Sequence, residues 1–295
     1  MLYISYKLCL LIVCGLGVIG CSPLEPKNYG KTEAKLFLSG GKQQPLVVGF
    51  GGSEGGNIYA EEQSQELRNR LLAQGFAFLA IGYFNGTNTP KAIDRISLSA
   101  IYDTINSQAD RVEIDKNRIA LLGGSRGGEL VLNLGSHYKG FKAIVVLGAP
   151  NVSLPAHFGW NPTSSWMIHG EELDFIPASD ASIKKVRKAS FFEGMKSLLK
   201  ENEGKEIGKI EVEKIGCPLL MISARQDEVW PSTYMAEQMM ERLKTHNFSH
   251  EYIHIPIDGN HAELSEQTGL IIEFLKKKLQ PYAVENKGLD IPPTP

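Results

Sequence analysis

The segment Gly123-Gly124-Ser125-Arg126-Gly127-Gly128 carries the strongest chemical signal in the chain. It fits the pattern G-x-S-x-G, which sets a serine on a sharp turn from strand to helix. The spacing has a steric reason. Side chains two residues before and after such a turn collide, so glycine is needed at both places. The turn lifts the Ser125 hydroxyl clear of its surroundings, and the helix that follows points its N-terminus at the same spot. The Arg126 N–H is therefore expected to meet negative charge as it develops there. A phosphate-binding or purely structural glycine turn is the alternative.

A lone serine is a weak nucleophile and needs a base. Of the seven histidines, five lie far enough beyond Ser125 to be weighed. His169 falls in an irregular stretch, His246 ends a helical pattern, His250 begins a strand pattern and His254 lies inside one. His261 sits in the loop Asp258-Gly259-Asn260-His261, just past a late strand, and is the expected general base. The expected acid is Asp227, in Ala224-Arg225-Gln226-Asp227 beyond the preceding strand. Its carboxylate would accept the Nδ1–H of His261 and fix the tautomer. Glu228 and Asp258 are alternatives for that role, and an N-cap or ion-pair role for Asp227 is the plainer one. A second donor to an oxyanion is expected from Gly51-Gly52-Ser53-Glu54-Gly55-Gly56, where glycines allow close backbone approach. The Gly52 N–H is favoured, with Ser53 next; a ligand-free nest is the alternative.

The elements that must carry these residues alternate. Strands are expected at 46–50, 76–81, 118–122, 143–147, 218–223 and 252–257. Helices are expected at 60–74, 93–109, 127–136, 232–245 and 265–279. This β-α order implies an α/β fold with a mostly parallel sheet covered on both faces. Its candidate residues then fall at the C-terminal strand edge, where open α/β sheets bind ligands. The rhythm breaks between about 149 and 216, a stretch with Trp160, Trp166, several prolines and one helical patch near 191–200. An insertion here, lying over the strand ends as a lid, is expected. The expected organisation is a leader at 1–20, a tether at 21–33, one domain at 34–280 and a disordered tail at 281–295.

The bulk composition is ordinary for a globular chain: 295 residues, 42% hydrophobic, 22% charged, net charge −2. No basic stripe interleaved with aromatics is present, so nucleic acid is not an expected partner. The basic cluster Lys184, Lys185, Arg187, Lys188 reads as a solvated face or, less simply, as a steering patch for an anionic substrate. Trp160, Trp166 and Trp230 read as core or as walls of an acyl pocket. Of the four cysteines, Cys217 follows the leader region by far and reads as a small buried hydrophobe. No metal or cofactor is expected.

The start of the chain is a separate object. Lys7 precedes an apolar run at 8–19 that is short for a membrane span. The run ends Val18-Ile19-Gly20-Cys21, which resembles a bacterial lipobox. That resemblance implies cleavage before Cys21 and lipid modification of its thiol. Ser22 rather than Asp next to it implies the outer membrane, facing the periplasm. A simple secretory signal or an N-terminal anchor is the alternative.

Elsewhere the chain resembles the C-terminal domain of acyl-CoA thioesterases and bile acid-CoA:amino acid N-acyltransferases. The similar segments are Gly51 to Gly56, Gly75-Phe76-Ala77-Phe78-Leu79-Ala80 with Tyr83-Phe84, Gly124 to Leu130, Gln226-Asp227-Glu228-Val229-Trp230 and Gly259-Asn260-His261. The resemblance spans about 46–279. It implies the α/β-hydrolase fold, with Ser125 as nucleophile, Asp227 as acid and His261 as base. Eukaryotic members carry an N-terminal β-sandwich without counterpart here. The bile-acid transferases have cysteine where this chain has Ser125, and relatives often have lysine where it has Arg126. An aromatic-proline run that follows the family's histidine is missing after His261. The resulting expectation is a serine hydrolase acting on a small-molecule acyl ester or thioester. The alternatives are an acyltransferase to an amine and a ligand-binding lipoprotein without turnover. Acyl-CoA is cytosolic, whereas a lipoprotein works outside the inner membrane, so a CoA ester is one substrate option among several.

Overall fold

The computed structural model describes residues 25–156, 163–188 and 190–280. The leader, Cys21, Trp160, Pro162 and the tail after 280 lie outside the described residues. The strands are β1 (Glu33–Phe37), β2 (Gln44–Phe50), β3 (Ala77–Gly82), β4 (Ile96–Ser97), β5 (Ile114–Gly124), β6 (Phe141–Leu147), β7 (Trp166–Ile168), β8 (Glu171–Glu172), β9 (Leu219–Ala224) and β10 (Tyr252–Ile257). The α-helices are α1 (Gln65–Ala73), α2 (Leu98–Ala109), α3 (Arg126–His137), α4 (Asp180–Lys188), α5 (Phe191–Glu201), α6 (Ser232–Thr245) and α7 (Thr268–Leu279).

Seven strands form the central sheet in the order β1-β3-β2-β5-β6-β9-β10. All its neighbours run parallel except β1, which pairs antiparallel with β3 at the edge. Every residue of β2, β3 and β9 is buried, as a parallel sheet covered on both faces requires. The period of two shows in how the side chains divide. Leu46, Val48, Phe50, Leu219 and Met221 join one core with residues of α2, α3 and α6. Val47, Leu220, Ile222 and Ala224 join the other with residues of α1 and α7. From β2 the chain runs outward to β3, then returns to β5 on the other side of β2. The ends of β2 and β5 therefore flank a topological switch point, where such sheets open a crevice.

Among the elements that differ from the sequence expectation are α1, α2 and β1. The helix expected at 60–74 begins only at Gln65. Two 3-10 turns, Ile58–Ala60 and Glu62–Ser64, precede it, separated by extended Glu61. The Arg68 guanidinium takes the Tyr59 and Glu61 carbonyls that a continuous helix would have used. The helix expected from 93 begins at Leu98, because the Ser97 hydroxyl accepts the Ala100 N–H and caps it. Residues 96–97 pair instead with Trp166 and Met167 in a small second sheet, β4-β7-β8. Strand β1 has no strong alternation to betray it, and its register comes from β3.

The insertion is built into the body of the protein. The Arg95 and Ile96 N–H groups donate to the Ser164 and Ser165 carbonyls. Val152, Leu154, Ile176, Met195 and Leu198 pack with Trp230 and Met235 as a third core. Trp166 is fully buried. Cys217 is buried too, and burial pushes its thiol up to about 12, as a small core residue would behave.

Candidate active site

Ser125 lies between the end of β5 and the start of α3, with φ of 53° and ψ of −121°. Positive φ is unfavourable for a residue with a Cβ. The strain is held by contacts that only glycine permits. A Cβ on Gly123 would stand 2.2 Å from the Gly127 carbonyl oxygen, and one on Gly127 would stand 2.3 Å from the carbonyl oxygens of Phe50 and Gly51. The Ser125 N–H donates to the Leu147 carbonyl at 2.7 Å, tying the turn to the end of β6.

Beyond β9 and β10, two loops are stitched together. The Arg225 and Gln226 N–H groups donate to the Ile257 and Gly259 carbonyls, each at 3.0 Å. The Asp227 side chain is 1% exposed and that of His261 16%, and Asp227 Oδ2 lies 2.8 Å from His261 Nδ1. Asp227 Oδ1 accepts the N–H groups of Val229 and Trp230, at 2.9 and 3.2 Å. The carboxylate is thus fixed at Oδ1 by two backbone donors, which leaves Oδ2 for the imidazole. Of the alternative acids, Glu228 accepts the backbone N–H of His261 at 3.0 Å, and Asp258 pairs with Arg225. Neither holds the ring.

Trp230 supports that ring. Its indole stands edge-on to the imidazole, with centroids 5.4 Å apart at 88°. Its Nε1–H donates to the Gly148 carbonyl at 2.8 Å. Gly148 closes the other side, since a Cβ there would come within 3.1 Å of His261 Cε1. The other weighed histidines are engaged elsewhere: His169 near Ser99, His246 on the Arg242 carbonyl, His250 against Phe248, and His254 on the Ser223 hydroxyl.

Ser125 and His261 line one cavity of about 490 Å³. The rest of its wall includes Gly51, Gly52, Glu54, Ile58, Tyr59, Leu147 and Leu264. Ser53 is exposed and does not line it, and among the described residues neither do Trp166, Trp230 or any residue of the insertion. Gly52 abuts the serine, with its Cβ position 2.9 Å from Ser125 Cβ. Its N–H donates to Glu54 Oε1 at 2.9 Å. The buried Tyr83 hydroxyl pins the same loop by donating to the Gly51 carbonyl at 2.9 Å.

The backbone of Arg126 heads α3, but its side chain turns away from the cavity into the core. There Nη1 lies 2.5 Å from Glu129 Oε2, and the guanidinium reaches the Ser165 hydroxyl and stacks over Trp166. Glu129 Oε1 accepts the Leu154 N–H at 2.8 Å and the Trp166 Nε1–H at 2.6 Å. Burial raises the Glu129 carboxyl above its usual range, against the opposing pull of Arg126 and the two N–H donors. Sequence reasoning missed Glu54, Tyr83, Glu129 and the support role of Trp230. A carboxylate inside a glycine-rich loop was a signal for the first. The others announce themselves only through long-range contacts.

Sheet order, strand directions and the strained strand-to-helix turn define an α/β-hydrolase domain. Solved structures agree on the fold. The acylaminoacyl peptidase of Pyrococcus horikoshii superposes with a TM-score of 0.58 at 14% identity, over 88% of this chain and 41% of that one. The monoacylglycerol lipase of Paleococcus ferrophilus gives 0.52 at 14% identity, over 84% and 99%. Residues 102–263 match the family described as BAAT / Acyl-CoA thioester hydrolase C terminal, and the chain belongs to that family. It is 29% identical over 227 residues to human acyl-coenzyme A thioesterase 6, covering 75% of this chain and 50% of the relative. With human mitochondrial acyl-coenzyme A thioesterase 2 the identity is 28% over 228 residues, covering 75% and 43%. The chain thus spans about half the length of the curated relatives it matches.

Proposed function

We propose that the protein is a serine hydrolase that cleaves an acyl ester or thioester through an acyl-serine intermediate. The observation that carries this reading is the 2.8 Å contact between Asp227 Oδ2 and His261 Nδ1, made by an imidazole that shares its cavity with Ser125. With Nδ1 committed to the carboxylate, Nε2 is the nitrogen left for proton transfer. The Ser125 Oγ attacks the acyl carbonyl while His261 takes its proton. The Arg126 N–H, at the head of α3, and the Gly52 N–H stabilise the oxyanion. His261 then protonates the leaving alcohol or thiol and later draws a proton from the water that releases the acid. The named relatives are acyl-coenzyme A thioesterases, which supports a thioester among the substrates. Transfer to an amine is the competing fate of the same intermediate, and added glycine or taurine would reveal it as an N-acyl product.

The direct test is a fluorophosphonate probe together with turnover of p-nitrophenyl esters and acyl thioesters. Ser125 should label in the folded protein, and Ser125→Ala should lose at least about 10³ in kcat with the fold intact. Full activity in Ser125→Ala would overturn the assignment. We also propose that Cys21 is the lipid-modified start of the mature chain, which would anchor this chemistry to the bacterial envelope. Its support is the short apolar leader ending Val18-Ile19-Gly20-Cys21.

A further inference from the structure

The second oxyanion donor is already occupied. Glu54 reaches back two residues so that its Oε1 accepts the Gly52 N–H at 2.9 Å, beside the nucleophile. A carboxylate oxygen held by a backbone N–H at this spot stands where a developing acyl oxyanion would seek the same donor. Charge-assisted hydrogen bonds of this kind are stronger than neutral ones, so an ordinary carbonyl competes for the N–H at a disadvantage. Around the cavity the balance of charge is one-sided. Among the described residues that line it, Glu54 carries the only carboxylate, and no lysine or arginine stands with it. Tyr59 also lines it and is half-buried, and burial first, then the Glu54 charge, push its phenol well above the usual range.

We infer that Glu54 is the specificity-determining residue of the site, favouring acyl groups that carry an ammonium near the carbonyl and rejecting those that carry a carboxylate. This rests on the serine-hydrolase reading above. An ammonium gives the Glu54 carboxylate a new partner, draws it off the Gly52 N–H and frees that N–H for the acyl oxygen. A neutral acyl group must displace the carboxylate without compensation. A negatively charged one meets like charge and offers no donor. Glu54 thereby couples recognition of the substrate to completion of the oxyanion site.

The test uses the full chain and p-nitrophenyl esters of three acyl groups of one length, ending in ammonium, methyl or carboxylate. In the wild type, kcat/KM should fall by about tenfold or more from the ammonium to the carboxylate ester. In Glu54→Gln, which keeps the shape and removes the charge, the spread should shrink to within about twofold, with the methyl ester cleaved no more slowly than by wild type. Equal rates in wild type, a carboxylate ester cleaved fastest, or an unchanged spread in Glu54→Gln would each overturn the inference. Failure of the underlying reading looks different: no ester is turned over and Ser125 escapes the fluorophosphonate probe. The Gly52 amide resonance then decides. It should move on titration with the ammonium-ended methyl ester and not with the carboxylate-ended one; a resonance fixed in both titrations would refute the gate.

Discussion

At the scale of single residues, the site is a set of side chains each held by something other than the chemistry. Asp227 is fixed by two backbone N–H groups, and His261 is wedged between Trp230 and Gly148. The indole has two tasks, one as an apolar face for the ring and one as a donor to the buried Gly148 carbonyl. Trp230→Phe keeps most of the face and deletes the donor. Stability should fall by about 1–3 kcal/mol in urea denaturation, because a buried carbonyl is left without a partner. If the ring also positions the imidazole, kcat should drop by about tenfold while KM stays within about twofold. A purely structural role would lower stability and leave kcat of the folded enzyme unchanged.

At the scale of elements, the nucleophile's helix is tied to the insertion through one acidic side chain. Glu129 lies in the first turn of α3, pairs with Arg126 next to the nucleophile, and receives the Leu154 and Trp166 N–H groups from the insertion. The N-terminus of α3 therefore does not move independently of Leu154 and Trp166. Glu129→Ala leaves a buried guanidinium without its carboxylate and two N–H groups without an acceptor. The expected loss is about 3–5 kcal/mol, read as a lower midpoint in urea at unchanged slope. A change under about 1 kcal/mol would mean the cluster relaxes and is not a strut. This tie also gives the long irregular stretch a physical reason: it completes the cover over α3 and supports Trp230, besides any role at the cavity mouth.

At the scale of the whole molecule, the proposed arrangement joins a domain carrying the family's C-terminal fold to a lipid-anchoring leader. If Cys21 becomes the acylated N-terminus, globomycin should cause the uncut precursor to accumulate, and a labelled fatty acid should be incorporated in the wild type but not in Cys21→Ala. The active domain would then meet esters of the envelope rather than the cytosolic CoA pool. Unmodified Cys21 in processed protein would return acyl-CoA to the front of the substrate classes.

How much of this was legible depends on how far each constraint reaches along the chain. The turn around Ser125 was readable because it leaves a local pattern, glycine two residues before and after the serine, although the Gly127 side of that requirement comes from the Phe50 and Gly51 carbonyls packed against it. The parallel sheet was readable because burial on both faces leaves continuous apolar runs such as Leu46 to Phe50 and Leu219 to Ile222. The starts of α1 and α2 were not, since a guanidinium that reaches back from inside α1 and a pairing with the distant Trp166 and Met167 decided them. Among Asp227, Glu228 and Asp258, residue type could not choose which carboxylate meets the imidazole; the stitched loops beyond β9 and β10 chose. The glycine loop after β2 was visible as a loop, but the placing of the Gly52 N–H and its Glu54 partner beside Ser125 belongs to the sheet, which sets the ends of β2 and β5 side by side. Local sterics and hydrophobic period belong to the sequence itself, whereas which polar groups finally face one another is settled by the assembled chain, because hydrogen bonds of this kind require angstrom-scale placement of segments far apart in sequence.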